Sequence, residues 1–255
     1  GRPGSRKGNS PAACVCGSGG GCGGIGSCVC GGARSRLESS FELFAPLRPN
    51  RKWDPLSRYL YLVRHGEQVD AEYGVDDGPL SARGQRQAEL VAERLSGVPF
   101  SHVFTSPLQR AVETADAMAK RFPALSPEPS ALLMDCIPHG PVPDMPAAFE
   151  PFYGGVSDEE IQAGEAQMSD ATAEWLSVRK DETHELLITH NFVIAWFVRE
   201  VFGSPPWRWM GINQANCGLT IIRVRTAKPA VLVTHNDLGH LPAELRTGLP
   251  ENQPY

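Results

Sequence analysis

The run Tyr59-Leu60-Tyr61-Leu62-Val63-Arg64-His65-Gly66-Glu67 constrains this chain more than any other stretch. Its first five residues are aromatic, aliphatic and branched, which reads as a buried strand. It then breaks into an arginine, a histidine and a glycine. A strand that ends this way delivers polar residues to the carboxyl edge of a sheet, where open α/β folds place their ligand sites. Arginine there offers a planar fork of donors for a phosphate or carboxylate. Histidine offers a nitrogen that serves as nucleophile or base near neutral pH. Glycine allows a sharp turn and a close approach. Three residues alone fit an incidental strand end equally well, so the rest of the chain decides.

The same arrangement recurs downstream. Glu185 to Thr189 reads as a second buried strand, it ends in His190-Asn191, and a helix follows over Phe192–Val201. Two strands that bring His65 and His190 to one edge are hard to explain as two core histidines. Between them, Ser81 is an N-cap for a helix that continues from Gln85 through Leu95, with Ala88, Val91, Ala92 and Leu95 on one face. Phe100 to Thr105 reads as a strand. Pro107 stands at the N1 position of the next helix, so Arg110 falls in its first turn, near the positive end of the helix dipole. That is a phosphate-binding address. Residues 123–158 form a Pro- and Gly-rich insertion in which Ala131–Met134 is strand-like and ends in Asp135-Cys136. Ser157 opens a helix expected to run to Val178. Strands over Leu219–Val224 and Ala230–Thr234 close the pattern. Trp207 and Trp209 are expected to pack between helices.

These elements place one folded domain over residues 58–242, about 185 residues, a common domain size. Residues 243–255 read as an irregular tail. Residues 1–57 read as a disordered tail and lead-in: Gly supplies 12 of the first 32 residues, and five of the seven cysteines (Cys14, Cys16, Cys22, Cys28, Cys30) lie there. Their spacing lacks the C-x2-C pairs of common zinc sites, and no metal or cofactor is implied. Charge is unevenly spread, at +6 over residues 1–58 and −11 over the remainder. An acidic body argues against a nucleic-acid partner. No apolar run approaches the ~20 residues that span a bilayer, which argues against a membrane partner. With no signal-peptide core, the expected location is the cytoplasm; the Arg-rich tail, free of acid before Glu38, leaves organellar targeting open.

Four motifs occur in order: Arg64-His65-Gly66-Glu67, Leu80-Ser81-x-x-Gly84-x-x-Gln87-Ala88, Ser106-Pro107-Leu108-Gln109-Arg110-Ala111-x-x-Thr114-Ala115, and Thr189-His190-x-x-Val193-Ile194. Together they resemble the histidine phosphatase (phosphoglycerate-mutase-like) superfamily, over about Tyr59 to Pro242. The pattern Asn213, Gly218, Thr220 and the stretch Asp237-x-Gly239-x-Leu241-Pro242 are similar to its protein phosphatases; Gln68–Tyr73 is unlike its mutases. The resemblance implies a three-layer α/β/α sandwich with a mostly parallel central sheet. It implies a phosphomonoesterase working through a phosphohistidine on His65, with Arg64, Arg110, His190 and Asn191 holding the phosphoryl group. The substrate implied is a phosphorylated small molecule or a phosphoprotein.

A phosphoryl group in transfer spreads charge over its oxygens, so positioned cations serve it better than covalent partners. Neutral His65 is expected to hold its Nδ1 proton on a carbonyl, leaving Nε2 to attack. Asp135 matches the family's proton-donating carboxylate, where relatives carry Glu. Glu113, three residues after Arg110, is the rival. Transfer to a second hydroxyl, as in a mutase, and an inactive phosphate-binding module are the alternative functions.

Overall fold

A computed structural model of the chain describes residues 57–70 and 77–250. The Gly/Cys-rich tail with its cysteines, nearly all of the lead-in, and residues 71–76 and 251–255 lie outside the described residues. The strands are β1 (Ser57–Arg64), β2 (His102–Thr105), β3 (Glu128–Pro129), β4 (Thr183–Thr189), β5 (Leu219–Arg225) and β6 (Lys228–Asp237). The helices are α1 (Ala82–Leu95), α2 (Gln109–Ala119), α3 (Asp158–Trp175) and α4 (Asn191–Val201). The sheet runs β3-β2-β4-β1-β5-β6; the first four strands are parallel, β5 pairs antiparallel with β1, and β6 pairs antiparallel with β5. Helices cover both faces, giving the α/β three-layer architecture that the motifs implied. None of these helices is long and apolar enough to cross a membrane.

Period-2 alternation splits each central strand between two cores. Tyr61 and Val63 of β1, with Leu186 and Ile188 of β4, pack under α1 and α2. Leu60, Leu62 and Leu187 pack under α3 and α4, against Trp175, Phe197 and Trp209. Burial on both faces is why these strands read as continuous apolar runs.

The glycines of the first two motifs explain each other. A Cβ on Gly66 would sit 2.6 Å from Gly84 O, and one on Gly84 would sit 2.2 Å from Glu67 O. The loop after β1 therefore lies directly on the N-terminus of α1, where Ser81 Oγ accepts from Gly84 N–H at 3.0 Å.

Three details depart from the sequence reading. Ala131–Met134 is not a strand: strand pairing is taken by Glu128–Pro129, and Ala131–Leu133 winds into a 3-10 turn that drives Leu133 into the core. Helix α2 starts at Gln109 rather than at Pro107, because Asp77 Oδ2 accepts from Gln109 N–H at 2.8 Å from a separate segment. Helix α3 stops at Trp175 rather than Val178. There, buried Arg58 takes the terminal carbonyls of Glu174 and Trp175, at 2.5 and 3.1 Å, while forking onto Glu185. The insertion also contains a 3-10 segment over Ala147–Gly155.

Candidate active site

Parallel pairing sets the site. Arg64 is in register with Thr189, so β1 and β4 end at one level and His65 and His190 emerge side by side. Their ring centroids are 5.1 Å apart. The turn after β1 is fixed by four hydrogen bonds from three sides: His65 N–H to Thr189 O at 2.9 Å, Cys217 N–H to Arg64 O at 3.0 Å, Asn216 Nδ2 to His65 O at 3.0 Å, and Gly66 N–H to Thr114 Oγ1 at 2.9 Å. Cys217 reaches its place through a positive φ of 51°. Buried Gln87 accepts from Glu67 N–H at 2.8 Å.

His65 Nδ1 lies 2.8 Å from Gly66 O, and Arg110 Nε donates to His65 Nε2 at 3.2 Å. An arginine N–H can only donate, so Nε2 is the acceptor and Nδ1 carries the proton. Burial, reinforced by the charges of Arg64 and Arg110, pushes the imidazole well below its ordinary pKa of 6.5. His65 is therefore neutral at physiological pH.

His190 is fully buried, with Nε2 2.8 Å from Ser106 Oγ. That hydroxyl accepts from Leu108 N–H at 3.3 Å, so its own proton is available to His190 Nε2. With that hydroxyl donating to Nε2, neutral His190 carries its proton on Nδ1, which has no hydrogen-bond partner among the described residues and lies 3.8 Å from Asp135 Oδ2. Burial, the neighbouring His65 and both arginines hold this ring neutral as well. Asp135 is placed by the 3-10 turn before it, whose Leu133 is buried and whose Leu133 O accepts from Thr189 Oγ1 of β4 at 2.7 Å. Burial raises the Asp135 pKa against the opposing pull of Arg110 and Arg64; its side chain is still 39% accessible through the cavity mouth, so water limits the shift.

Arg110 lies between two carboxylates, at 3.1 Å from Asp77 Oδ1 and 3.2 Å from Asp135 Oδ2. Arg64 Nη1 donates to Gln214 O and Gly248 O, both at 2.7 Å. Arg64, His65, Arg110 and Asp135 line one cavity of about 680 Å³ with Glu67, Ser81 and Arg83 at its polar rim. Cationic donors thus converge on a neutral imidazole beside a carboxyl with raised pKa. Such a cavity can bind a dianion, accept it covalently on nitrogen and hand over one proton.

Arg64, His65, Arg110, Asp135 and His190 are brought together. Glu113 is not: its Oε2 accepts from Leu80 N–H and its Oε1 from Gln109 Nε2, both at 2.8 Å, away from the cavity lining. The Asn191 amide is turned to the loop before β5, donating to Asn213 Oδ1 at 3.2 Å and accepting from Gln214 N–H at 2.7 Å. It borders the site through a second cavity. Asp77, Ser106 as a partner of His190, Asn216, Thr247 and Gly248 escaped the sequence reading as site residues. Ser106 opens a motif, which was the one available signal; the others are single polar or small residues in loops. Residues 243–250, expected as an irregular tail, include Thr247 and Gly248 in the cavity wall.

The family model described as "Histidine phosphatase superfamily (branch 1)" matches residues 60–137 and 143–237. The chain is 30% identical over 193 residues to the Serine/threonine-protein phosphatase Pgam5, mitochondrial, of Caenorhabditis briggsae, covering 72% of this chain and 65% of that protein. The Mus musculus protein of the same name is 29% identical over 199 residues, covering 74% and 65%. The chain thus spans about two thirds of the length of these relatives. Among solved structures, Bacillus stearothermophilus YhfR superposes with a TM-score of 0.59 at 20% identity, covering 72% of this chain and 98% of that one. With its four motifs on one sheet edge and the family match running through both histidine strands, the chain belongs to branch 1 of the histidine phosphatase superfamily.

Proposed function

We propose that the chain is a metal-independent phosphomonoesterase in which His65 Nε2 attacks phosphorus. The observation that carries this reading is the neutral His65 tautomer, with Nε2 as its unprotonated nitrogen beside Arg110. In the first step an N–P bond forms and the P–O bond to the alcohol breaks. Asp135, whose raised pKa favours its acid form, gives its proton to the departing oxygen. In the second, Asp135 takes a proton from water as the water oxygen attacks phosphorus; the N–P bond breaks and phosphate leaves. Arg64, Arg110 and the Nδ1–H of His190 compensate charge on the phosphoryl oxygens. The N-terminus of α4 adds the positive end of its dipole. Asp135 rather than Glu113 serves as the acid, because only Asp135 lines the cavity that His65 faces.

The substrate is a phosphorylated small molecule or a phosphoprotein; the phosphatase names of the relatives support both the activity and the second choice. The test is hydrolysis of p-nitrophenyl phosphate, phosphopeptides and sugar phosphates, with and without chelator, followed by rapid quench. The expected result is chelator-insensitive turnover with an acid-labile phosphoryl group on His65, abolished in His65→Ala. Full activity in that variant sinks the reading. Product analysis separates release to water from transfer to a second hydroxyl.

A further inference from the structure

A second cavity of about 550 Å³ adjoins the first and shares Arg64, His65, Asp135 and Gly248 with it. What it adds is different in character: Phe192, Leu249 and Pro250, with Asn191 and Asn213 between them. The two asparagine amides are engaged with each other and with Gln214 N–H, so the added surface is mostly carbon.

The Phe192 wall is held before any ligand arrives, and the opposite wall is tethered through the residues that precede it. The Phe192 ring packs edge-on against Trp209 at 4.8 Å and Phe152 at 5.8 Å. Leu249 follows a strap fastened at Leu245, Thr247 and Gly248. Gln87 Nε2 donates to Leu245 O at 2.7 Å and to Thr247 Oγ1 at 2.9 Å, Asn216 N–H donates to Thr247 O at 2.9 Å, and Arg64 Nη1 donates to Gly248 O at 2.7 Å. Little ordering entropy remains to oppose binding.

The position relative to the chemistry matters as much. Asp135 lines both cavities, so a leaving oxygen protonated by Asp135 has its carbon substituent next to one or the other. The first cavity is rimmed by charge, including the Glu67–Arg83 ion pair at 2.9 Å. An apolar substituent there would strip water from charges without compensation. In the second it would bury carbon against carbon.

We propose that the cavity walled by Phe192, Leu249 and Pro250 is a subsite for an apolar chain or ring carried by the substrate's alcohol, next to the phosphoester. This rests on the phosphatase reading above.

Straight-chain alkyl phosphates from ethyl to hexyl test it, since their leaving groups have nearly equal basicity and the chemistry stays constant along the series. At ~0.8 kcal/mol per buried methylene, kcat/KM is expected to rise about fourfold for each added carbon until the cavity is filled, through a falling KM. Leu249→Asn, at a half-buried strap position and with no change of charge, should flatten the series while the inhibition constant of inorganic phosphate stays within about twofold. Phe192→Ser should do the same, but it also opens the aromatic cluster, so Leu249→Asn is the decisive variant. A flat series in the active wild-type protein overturns the subsite and leaves the phosphatase reading standing. A slope that survives in Leu249→Asn also overturns it. No hydrolysis of any member, with no phosphate inhibition, overturns both.

Discussion

Replacing Gly248 by alanine tests whether the strap positions Arg64. Gly248 adopts a φ of +85°, a region costly to a residue with a Cβ. An added Cβ would lie 2.2 Å from Asn216 Oδ1 and 2.9 Å from Arg64 Nη1, closer than such atoms approach. Two relaxations are open. The strap lifts away and loses the Arg64-to-Gly248 hydrogen bond, or Asn216 rotates and loses its hold on His65 O. A hydrogen bond from a charged donor contributes about 1.5–3 kcal/mol. If that loss is felt in the transition state, kcat/KM falls about 10- to 100-fold, at about 1.4 kcal/mol per factor of ten. The lower end applies if Gln214 O, also 2.7 Å from Arg64 Nη1, retains the guanidinium alone. The assay is p-nitrophenyl phosphate hydrolysis with a thermal melt alongside. A double-mutant cycle with Arg64→Ala separates positioning from general damage, since a glycine acting through Arg64 costs little once Arg64 is gone. Activity of Gly248→Ala within twofold of wild type, or an undiminished penalty in the Arg64→Ala background, refutes the reasoning.

Asp135→Asn is expected to lower kcat about 10²- to 10⁴-fold on alkyl phosphates and far less on p-nitrophenyl phosphate, whose leaving group needs no proton; the same discrimination in Glu113→Gln instead would reassign the acid. Glu185→Gln leaves fully buried Arg58 with the half-exposed Glu174, at 3.8 Å, as its remaining carboxylate partner, so urea unfolding should show a loss of up to about 3–5 kcal/mol with kcat per folded molecule unchanged. Stability should also fall on acidification. His65 and His190 have folded pKa values depressed below 6.5, so the unfolded chain takes up protons there that the folded one refuses, at up to about 1.4 kcal/mol per histidine per pH unit. Asp135 acts in the opposite sense but is partly exposed. Urea midpoints at pH 7 and 5.5, compared with those of His65→Asn, check the sign; a wild-type protein more stable at pH 5.5 contradicts it.

The strand ends were legible because their signals are local. An apolar run ending in Arg-His-Gly, and another ending in Thr-His, say which edge the histidines occupy before any partner strand is known. Gly66 and Gly84 were legible as motif letters, while their reason, one main chain resting on the other, needed the packed structure. Ala131–Met134 misled for a physical reason. A four-residue apolar run suits a short strand or a turn equally, and Ser130 N–H to Thr105 O at 2.8 Å ends the pairing just before it. Arg64 and Gln87 were legible as motif letters, but their hold on the strap was not, because each contact joins parts far apart in the chain, as when Gln87 reaches Thr247. No periodicity records such pairs.

The site combines a rigid half with an adjustable one. The main chain around His65 is pinned by β4, by the loop before β5 and by α2, and Arg64 is tied to two carbonyls. Arg110 is held differently: its guanidinium contacts the side chains of Asp77, Asp135 and His65, the last at Nε2. A phosphoryl dianion offers Arg110 stronger acceptors than a neutral imidazole does. Moving its donors from His65 Nε2 to phosphoryl oxygens would expose the Nε2 lone pair, as the proposed attack requires, while Asp77 keeps α2 and the arginine on station. Asp77→Asn separates these roles. It removes one negative charge facing the anion but loosens Arg110, so phosphate affinity should change in one direction and kcat in the other. A variant in which both improve would show that Asp77 only competes with the substrate.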